Sequence, residues 1–266
     1  MPTASHHGFP PEPGLHELTS DLEHLRFALA RVSGDGDGDA VTLNTGAHEA
    51  LVVVIEAPSG ALVSVGGRDF ALPPRASVFA DEPSAVYAPP GSELRLSGEL
   101  LAGIFQAHVD GGADELDAYA ILPEEVASVE RGRGNFSRRV RDILPATRPA
   151  ARLLAGETLN PPGNWSSSPP HKHDRDIPGQ EAELEEIYLF RVDPPHGFGL
   201  QMSYSTDPPQ ESAFAVHDLD AVSIPAGYHP VVAAPGYNLY YLWCLAGHGR
   251  ELLWNPDPAH AWVDGG

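Results

Sequence analysis

Three histidines and one glutamate in the second half of the chain have the residue types and spacing of a metal site. His171 and His173 lie in the string PPHKHD, and Glu186 begins an apolar run. His229 ends the string PAGYH. Residues two apart on an extended strand point to the same face, so the two histidines of PPHKHD should converge. Imidazole and carboxylate donors suit Zn²⁺, Mn²⁺, Fe²⁺ or Ni²⁺, so the set predicts a site for one divalent metal.

The order His-x-His, carboxylate and Pro-x-Gly-x-His matches the two sequence motifs of the cupin barrel. Cupins have three or four residues between the second histidine and the carboxylate. Here 12 residues, DRDIPGQEAELE, separate His173 from Glu186. We interpret this string as an inserted loop. It offers three alternative carboxylates, Glu181, Glu183 and Glu185.

We prefer Glu186 as the carboxylate ligand because of a faint internal repeat. Glu186 lies 11 residues before Gly197, and in the first half Glu49 lies 11 residues before Gly60. Each stretch is apolar and a Pro-containing turn follows it. The first half has no His-x-His before Glu49, so we expect it to form a barrel that binds no metal.

The apolar runs are short, rich in Val, Ile, Leu and Tyr, and separated by proline and glycine, which predicts antiparallel strands. Gly66 and Gly67 should form a two-residue hairpin turn. The predicted fold is an all-β bicupin, that is, two double-stranded β-helix or jelly-roll barrels. It should have few short helices, near 16–30 and 112–121.

The repeat also predicts the domain organisation. Residues 1–120 should form an N-terminal degenerate cupin barrel, and residues 153–266 a C-terminal, metal-binding cupin barrel. The arginine-rich stretch 121–152 should connect them.

Composition restricts the function classes. The chain has 16 basic and 37 acidic residues, a net charge of −21, which argues against a nucleic-acid partner. No apolar run has the length of about 18–20 residues that a membrane span needs. A single cysteine, Cys244, forbids an internal disulfide, so we expect a cytoplasmic enzyme. Exposed barrel strands favour a homo-oligomer.

Longer strings resemble the 5-deoxy-glucuronate isomerase family of bacterial myo-inositol catabolism, a bicupin family related to the 5-keto-4-deoxyuronate isomerases. The strings are GNWSSSPPHKHD, LEEIYLFRV, GYHP, GRGNFSRRVRDILP and RASVFADEPSAVYAPPG, spread over most of the chain. The resemblance implies a zinc bound by His171, His173, Glu186 and His229. It also implies an aldose–ketose isomerisation of a sugar acid, 5-deoxy-D-glucuronate to 2-deoxy-5-keto-D-gluconate, through a metal-stabilised enediolate.

Such a reaction needs a group that moves a proton and groups that hold the substrate. We expect the catalytic base to be His217, Tyr188 or Tyr241, and Gln201 to hold a hydroxyl. The candidate cations for the substrate carboxylate are Lys172, Arg175 and the cluster Arg138–Arg141.

Two rival function classes share these residues. A cupin with this ligand set could be a metal-dependent oxygenase, because fold and ligands alone do not fix the chemistry. A non-catalytic sugar-binding cupin is the other, and it has no need of an intact ligand set. Among isomerases, another uronate is the alternative substrate.

Overall fold

The fold is built almost wholly from β-strands. The computed structural model describes residues 4–34, 40–111 and 115–263. Helical structure in these residues is limited to three 3-10 helices, Pro123–Glu125, Gly134–Phe136 and Pro258–Val263. None of the described helices is long and apolar enough to cross a membrane.

The first half of the chain forms two facing sheets. A six-stranded sheet has the order β11-β8-β5-β10-β3-β2 and a four-stranded sheet the order β4-β9-β6-β7. The strands up to this point are β1 Ser5–His7, β2 Gly14–Glu17, β3 Leu25–Val32, β4 Val41–Asn44, β5 His48–Glu56, β6 Ala61–Val65, β7 Arg68–Leu72, β8 Ala85–Ala88, β9 Glu93–Ser97, β10 Leu100–His108 and β11 Tyr119–Ile121.

The second half repeats this arrangement. A seven-stranded sheet, β1-β20-β17-β22-β14-β13-β12, faces a four-stranded sheet, β15-β21-β18-β19, and β16 pairs with β23 beside them. These strands are β12 Ala127–Arg131, β13 Arg138–Leu144, β14 Leu154–Asn160, β15 Trp165–Ser166, β16 His171–Lys172, β17 Leu184–Asp193, β18 Gly199–Thr206, β19 Pro209–Val216, β20 Ala221–Ile224, β21 Val231–Ala233, β22 Asn238–Gly247 and β23 Asn255–Pro256.

Two short strands cover the edges of the large sheets. Strand β1, from the start of the chain, crosses over and pairs with β20 of the second barrel. Strand β11, which follows β10, stays with the first barrel and pairs with β8. Each of these strands protects the edge that it covers from pairing with another molecule.

Alternation along the strands divides the apolar side chains among three cores. On β5, Val52 and Val54 fill the first barrel, and on β17, Tyr188 and Phe190 fill the second. The opposite faces of the two strands meet in a third core between the large sheets. Each fully buried aliphatic side chain contributes about 1.5–3 kcal/mol, so the shared core joins the barrels firmly.

Two local predictions have opposite outcomes. The hairpin at Gly66 and Gly67 is confirmed, with φ values of 57° and 84° between paired strands β6 and β7. The helix expected near 16–30 is wrong, because this stretch contains β2 and β3. Of the second expected helix, residues 112–114 lie outside the described residues, and 119–121 form a strand. Tertiary pairing in the sheets overrides the weak helical pattern.

The arginine-rich segment 121–152 is more than a connection. Its strands β12 and β13 extend the large sheet of the second barrel through pairing with β14.

Glu49 does not occupy the position of Glu186. Glu49 pairs with Ala107 on β10, and the corresponding pair in the second barrel is Glu185 with Ala246 on β22. Glu49 therefore points toward the interface between the barrels, and its counterpart is Glu185. The repeat that favoured Glu186 is offset by one residue, which moves a strand side chain to the other face.

Candidate metal centre and its cavity

Three of the four predicted metal ligands meet inside the second barrel. Ligand atoms of His173, Glu186 and His229 all lie within 4.8 Å of one another, and all three residues are buried. The Oε2 atom of Glu186 is 3.2 Å from Nε2 of His173 and 3.2 Å from Nε2 of His229. Each donor comes from a different part of the barrel. His173 follows β16, Glu186 lies on β17, and His229 lies in the turn after β20.

Backbone carbonyls orient the two histidines. Nδ1 of His173 lies 2.8 Å from the carbonyl oxygen of Leu184, and Nδ1 of His229 lies 2.8 Å from that of Gly227. A carbonyl only accepts, so each Nδ1 carries the hydrogen and donates it. The Nε2 atoms are then left as acceptors, which is the tautomer that a metal-binding histidine needs.

The donor set fits a divalent cation. In this tautomer two imidazole lone pairs and one carboxylate face one another without a hydrogen between them. Nε2 of His229 is fully buried and has no hydrogen bond to the described residues. Such an arrangement is costly unless a cation lies among the donors.

The charges around Glu186 are strongly coupled. Burial opposes ionisation of this carboxyl, yet the imidazoles of His173 and His229, each with Nε2 at 3.2 Å from Oε2, lower its pKa to about 2. Burial likewise opposes the charged form of His173, but the carboxylate of Glu186 raises the pKa of this imidazole above its usual value. The carboxylate is therefore ionised at neutral pH and available as a ligand.

His171 lies at the edge of this group. Its ring centroid is 5.1 Å from that of His229 and 6.3 Å from that of His173, and its ring packs against Trp254. Burial and the neighbouring histidines lower the pKa of His171 well below 6.5. It is therefore neutral at pH 7 and able to bind a metal, although its nitrogens are outside the group of three.

The metal centre opens into a cavity of about 360 Å³. This volume is within the range of small-molecule sites. Gly156 makes room for the indole of Trp243 in the wall, since a Cβ at Gly156 would lie 2.3 Å from that ring. The lining includes His171, His173, Glu186, Tyr188, Tyr241, Trp243, Ser166, Ser167, Arg131, Arg138, Asp142, Leu252 and Trp254.

Two of the three predicted catalytic residues line this cavity. Tyr188 and Tyr241 pack with ring centroids 4.5 Å apart. The Tyr188 hydroxyl is 3.3 Å from the hydroxyl of Ser167, and the Tyr241 hydroxyl bonds that of Ser166. Burial and, secondly, the charge of Glu186 raise the pKa of Tyr188 well above 10, so this phenol keeps its proton at neutral pH.

The structure does not bring the third, His217, to the site. His217 lies in the turn between β19 and β20, its side chain is 59% exposed, and it bonds Asp220. It is not among the cavity-lining residues. A catalytic His217 would have to lie on a strand and face the barrel interior. Strand β19 instead ends one residue earlier, at Val216.

Two of the cations predicted to bind the substrate carboxylate, Lys172 and Arg175, also lie outside the cavity lining. Lys172 points away from His171 and His173 and forms ion pairs with Asp174 and Glu181. Arg175 is 53% exposed and lies 3.9 Å from Asp174. Both positive charges are therefore directed to the acidic insertion.

Gln201 is buried on β18, but its amide is used within the protein. Its Nε2 atom donates to the carbonyl oxygen of His229 at 2.9 Å, while its Oε1 atom has no hydrogen bond among the described residues. It supports the His229 backbone and is not among the residues that line the cavity.

The alternative carboxylates have other partners. Glu181 accepts from Lys172, from the N–H groups of Asp174 and Arg175, and from the Asn255 amide. Glu183 is exposed. Glu185 faces the other barrel. Of the four glutamates, Glu186 is the one that faces the histidines.

Strand β13 contributes three residues to the cavity, and of these only Arg138, as a candidate cation, was expected there. Arg138, Val140 and Asp142 alternate along β13, and all three line the cavity. Period-two alternation in RRVRDIL is a usable signal for Val140 and Asp142. Assigning residues 121–152 to a connection conceals it. Trp254 comes from the chain end and has no local signal.

The chain is similar to proteins named 5-deoxy-glucuronate isomerase. The family model of the KduI/IolB family matches residues 15–263. The 5-deoxy-glucuronate isomerase of Geobacillus kaustophilus is 46% identical over 152 residues, which cover 57% of this chain and 55% of that protein. That match thus spans about half of the relative's length. The enzyme of the same name from Halalkalibacterium halodurans is 32% identical over 254 residues, 94% of this chain and 92% of that protein.

Solved structures agree with these matches. An IolB-like protein from Salmonella typhimurium LT2 superposes with a TM-score of 0.90 and 31% identity, over 97% of this chain and 98% of that one. A structure of oxalate decarboxylase superposes with a TM-score of 0.64 and 12% identity, over 96% of this chain and 80% of that one. At such low identity the likeness concerns the fold alone, and it confirms the predicted all-β bicupin.

Proposed function

The chain belongs to the KduI/IolB family, and on this premise we propose that it is an aldose–ketose isomerase acting on 5-deoxy-D-glucuronate. The product is 2-deoxy-5-keto-D-gluconate, and the reaction is a step of myo-inositol degradation. Relatives named 5-deoxy-glucuronate isomerase that align over 94% of the chain support this assignment.

We propose that His173, Glu186 and His229 hold a divalent metal, with His171 as a fourth ligand. Zinc is the first candidate, since three imidazoles and one carboxylate form a ligand set that zinc accepts. A bound divalent ion supplies the Lewis acidity that polarises a carbonyl and an adjacent hydroxyl. The tautomers of His173 and His229, fixed by the carbonyls of Leu184 and Gly227, hold their Nε2 atoms ready for it.

Tyr188 acts as a proton donor to the reacting oxygen. Its hydroxyl lines the cavity beside Glu186, and its high pKa keeps the phenol protonated. Tyr241 packs against it and positions the ring. A fixed donor of this kind stabilises negative charge that develops on an oxygen during the reaction.

The observation that carries the proposal is the convergence of His173, Glu186 and His229 beside a tyrosine-lined cavity. A sugar-binding module has no need of three buried metal donors. An oxygenase would use the same donors, so the experiment must separate isomerisation from oxygen chemistry.

The test is NMR of the metal-analysed protein with 5-deoxy-D-glucuronate in D₂O, under air and under anaerobic conditions. We expect the ketose to appear at the same rate in both, with deuterium incorporated at the carbon that receives the proton. 5-Keto-4-deoxyuronate, tested in parallel, should react at least about tenfold more slowly, which corresponds to about 1.4 kcal/mol in the barrier. Turnover that requires oxygen, or no ketose from metal-loaded protein, would contradict the proposal.

The cytoplasmic location and the homo-oligomer stay predictions of the sequence. Cys244 is buried and is not part of a disulfide, which agrees with a reducing compartment.

A further inference from the structure

Two arginines face the cavity from neighbouring strands. Arg131 on β12 and Arg138 on β13 are direct partners in the sheet, and both line the cavity. Their strands are the outermost two of the large sheet, whereas Glu186 lies on β17, three strands from β13. The arginines therefore lie across the cavity from the carboxylate of the metal centre.

Arg138 has no carboxylate partner within 4.0 Å among the described residues. Its Nη1 atom donates a hydrogen bond to the carbonyl oxygen of Phe136 at 3.1 Å. The neighbouring arginines differ, since Arg139 pairs with Glu130 and Arg141 with Glu157. In a chain with 37 acidic and 16 basic residues, a cavity arginine without an acidic partner is unexpected.

The charge of Arg138 reaches the groups of the site. Burial raises the pKa of Tyr241, and the positive charge of Arg138 is among the causes that oppose this rise. Asp142 lines the same cavity two residues before the end of β13. Burial raises the pKa of its carboxyl, and the positive charge of Arg131 opposes this rise. Asp142 thus offsets part of the charge of Arg131, while Arg138 stays available to an anion.

We propose that Arg138, with Arg131 beside it, binds the carboxylate of the sugar acid while the carbonyl end of the same molecule lies at His173, Glu186 and His229. This inference rests on the proposed function for the identity of the sugar. A guanidinium binds a carboxylate through two parallel hydrogen bonds, which fixes orientation as well as affinity. Arg138 is thus the residue that selects a sugar acid over a neutral sugar.

The experiment compares two ligands that differ only at this end. Calorimetric titrations of the zinc-loaded protein with 5-deoxy-D-glucuronate and with 5-deoxy-D-glucose measure the preference for the carboxylate. Charge-assisted hydrogen bonds predict that the wild-type protein binds the acid about tenfold or more tightly than the neutral sugar. In Arg138→Met we expect the preference to fall to about threefold or less, with affinity for the neutral sugar unchanged.

Arg139→Met is the matched control, because Arg139 is the next residue on β13 and points to the outer face toward Glu130. It should keep the full preference, and Arg138→Lys should keep part of it. Zinc content and circular dichroism verify that each variant is folded and loaded.

Binding and turnover report on separate claims. If the wild-type protein prefers the acid but forms no ketose, the isomerase assignment fails and the role of Arg138 stands. Equal affinity of the wild-type protein for both ligands, no binding of the acid, or an unchanged preference in Arg138→Met would overturn the inference.

Discussion

Glu49 and Glu185 make the same contact from equivalent positions in the two barrels. Glu49 accepts hydrogen bonds from the backbone N–H groups of Ala151, Arg152 and Leu153, each at 2.6 Å. Glu185 accepts from the N–H groups of residues 23, 24 and 25 at 2.8, 2.7 and 3.2 Å. Each carboxylate thus binds the backbone at the start of a strand in the opposite barrel, β14 for Glu49 and β3 for Glu185.

This reciprocal contact fixes the two halves against each other. The N–H groups that it satisfies lie just before β14 and just before or at the first residue of β3, where the ladder of each sheet begins. Burying them unpaired would cost about 1–3 kcal/mol each. The pair of glutamates is therefore a device for the interface between the barrels and has no part in metal binding.

We expect Glu49→Ala to lower the free energy of unfolding by about 3–5 kcal/mol. Glu49 is fully buried and also accepts from the Tyr87 hydroxyl at 2.6 Å, so four donors lose their partner. Glu185→Ala should cost less, about 1–3 kcal/mol, because Glu185 is only partly buried. Urea denaturation of the zinc-loaded proteins measures both. Equal and negligible losses would show that the contacts contribute nothing.

A second buried carboxylate joins the barrels through charge. Glu157 accepts from Arg75 at 2.8 and 2.9 Å, from Arg141 at 2.8 Å and from the Tyr240 hydroxyl at 2.8 Å. Glu157→Gln leaves the guanidinium of Arg75, which is 1% exposed, without a counter-charge. We expect a loss of about 3–5 kcal/mol in the free energy of unfolding.

The control for this substitution is Glu130→Gln, which removes the exposed pair with Arg139. Exposed pairs contribute about 0–1 kcal/mol, so the midpoint of denaturation should barely move. A Glu157→Gln protein as stable as this control would show that the buried network is not needed for stability.

Much of the fold and of the metal centre follows from the sequence, for definite physical reasons. Short apolar runs separated by Gly and Pro specify strands, and the Gly66-Gly67 turn requires positive φ values that other residues avoid. His173 and His229 belong to motifs whose spacing matches barrel strands. Glu186 was the right choice for the carboxylate that meets the histidines, although the repeat argument behind it was off by one residue.

The rest depends on contacts between residues distant in the sequence. Whether His217 or Arg138 reaches the cavity depends on where β19 ends and on which strands extend the large sheet. The pairing of β1 with β20 of the second barrel cannot be found from local patterns, because contacts across the chain determine it. The ion pairs of Lys172 with Asp174 and Glu181 likewise depend on the path of the inserted loop that contains both carboxylates.

Substitutions at the proposed metal ligands should reduce the amount of bound zinc to different degrees. His173→Ala, Glu186→Gln and His229→Ala should each reduce bound zinc below about one tenth of the wild-type content after dialysis, because each removes one of three convergent donors. His171→Ala should retain a larger share, since its ring lies at the edge of the group. Metal analysis by mass spectrometry gives the stoichiometry.

Exposed His196 is the control for this series, because its ring packs on Tyr237 away from the cavity. His196→Ala should bind zinc like the wild-type protein. Full zinc content in Glu186→Gln and His229→Ala would contradict the proposed ligand set. A chelator should lower the melting temperature of the wild-type protein and leave that of His229→Ala unchanged.

Asp142 predicts a pH-dependent difference in stability. Burial raises the pKa of this carboxyl above its usual value, against the attraction of Arg131. A raised pKa in the folded protein means that the stabilising contribution is complete at low pH and is lost as pH rises through the folded pKa. Asp142→Asn should therefore be more stable than the wild-type protein at pH 7, and the difference should vanish near pH 3. Denaturation curves at both pH values test the sign, and a difference that grows toward pH 3 would contradict it.

Substitutions of Tyr188, Tyr241 and His217 test which of the three predicted catalytic residues takes part in the reaction. Tyr188→Phe removes a buried hydroxyl that lines the cavity beside Glu186, so we expect kcat to fall about 100-fold, as for other lost donors to a developing charge. Tyr241→Phe should lower kcat by less than about tenfold, since it keeps the ring that packs on Tyr188 and loses only the hydroxyl that bonds Ser166. His217→Ala should keep the wild-type kcat, because the side chain is 59% exposed and lies outside the cavity lining. Steady-state kinetics on variants of equal zinc content measure all three, and a large loss in His217→Ala with full turnover in Tyr188→Phe would reverse the assignment.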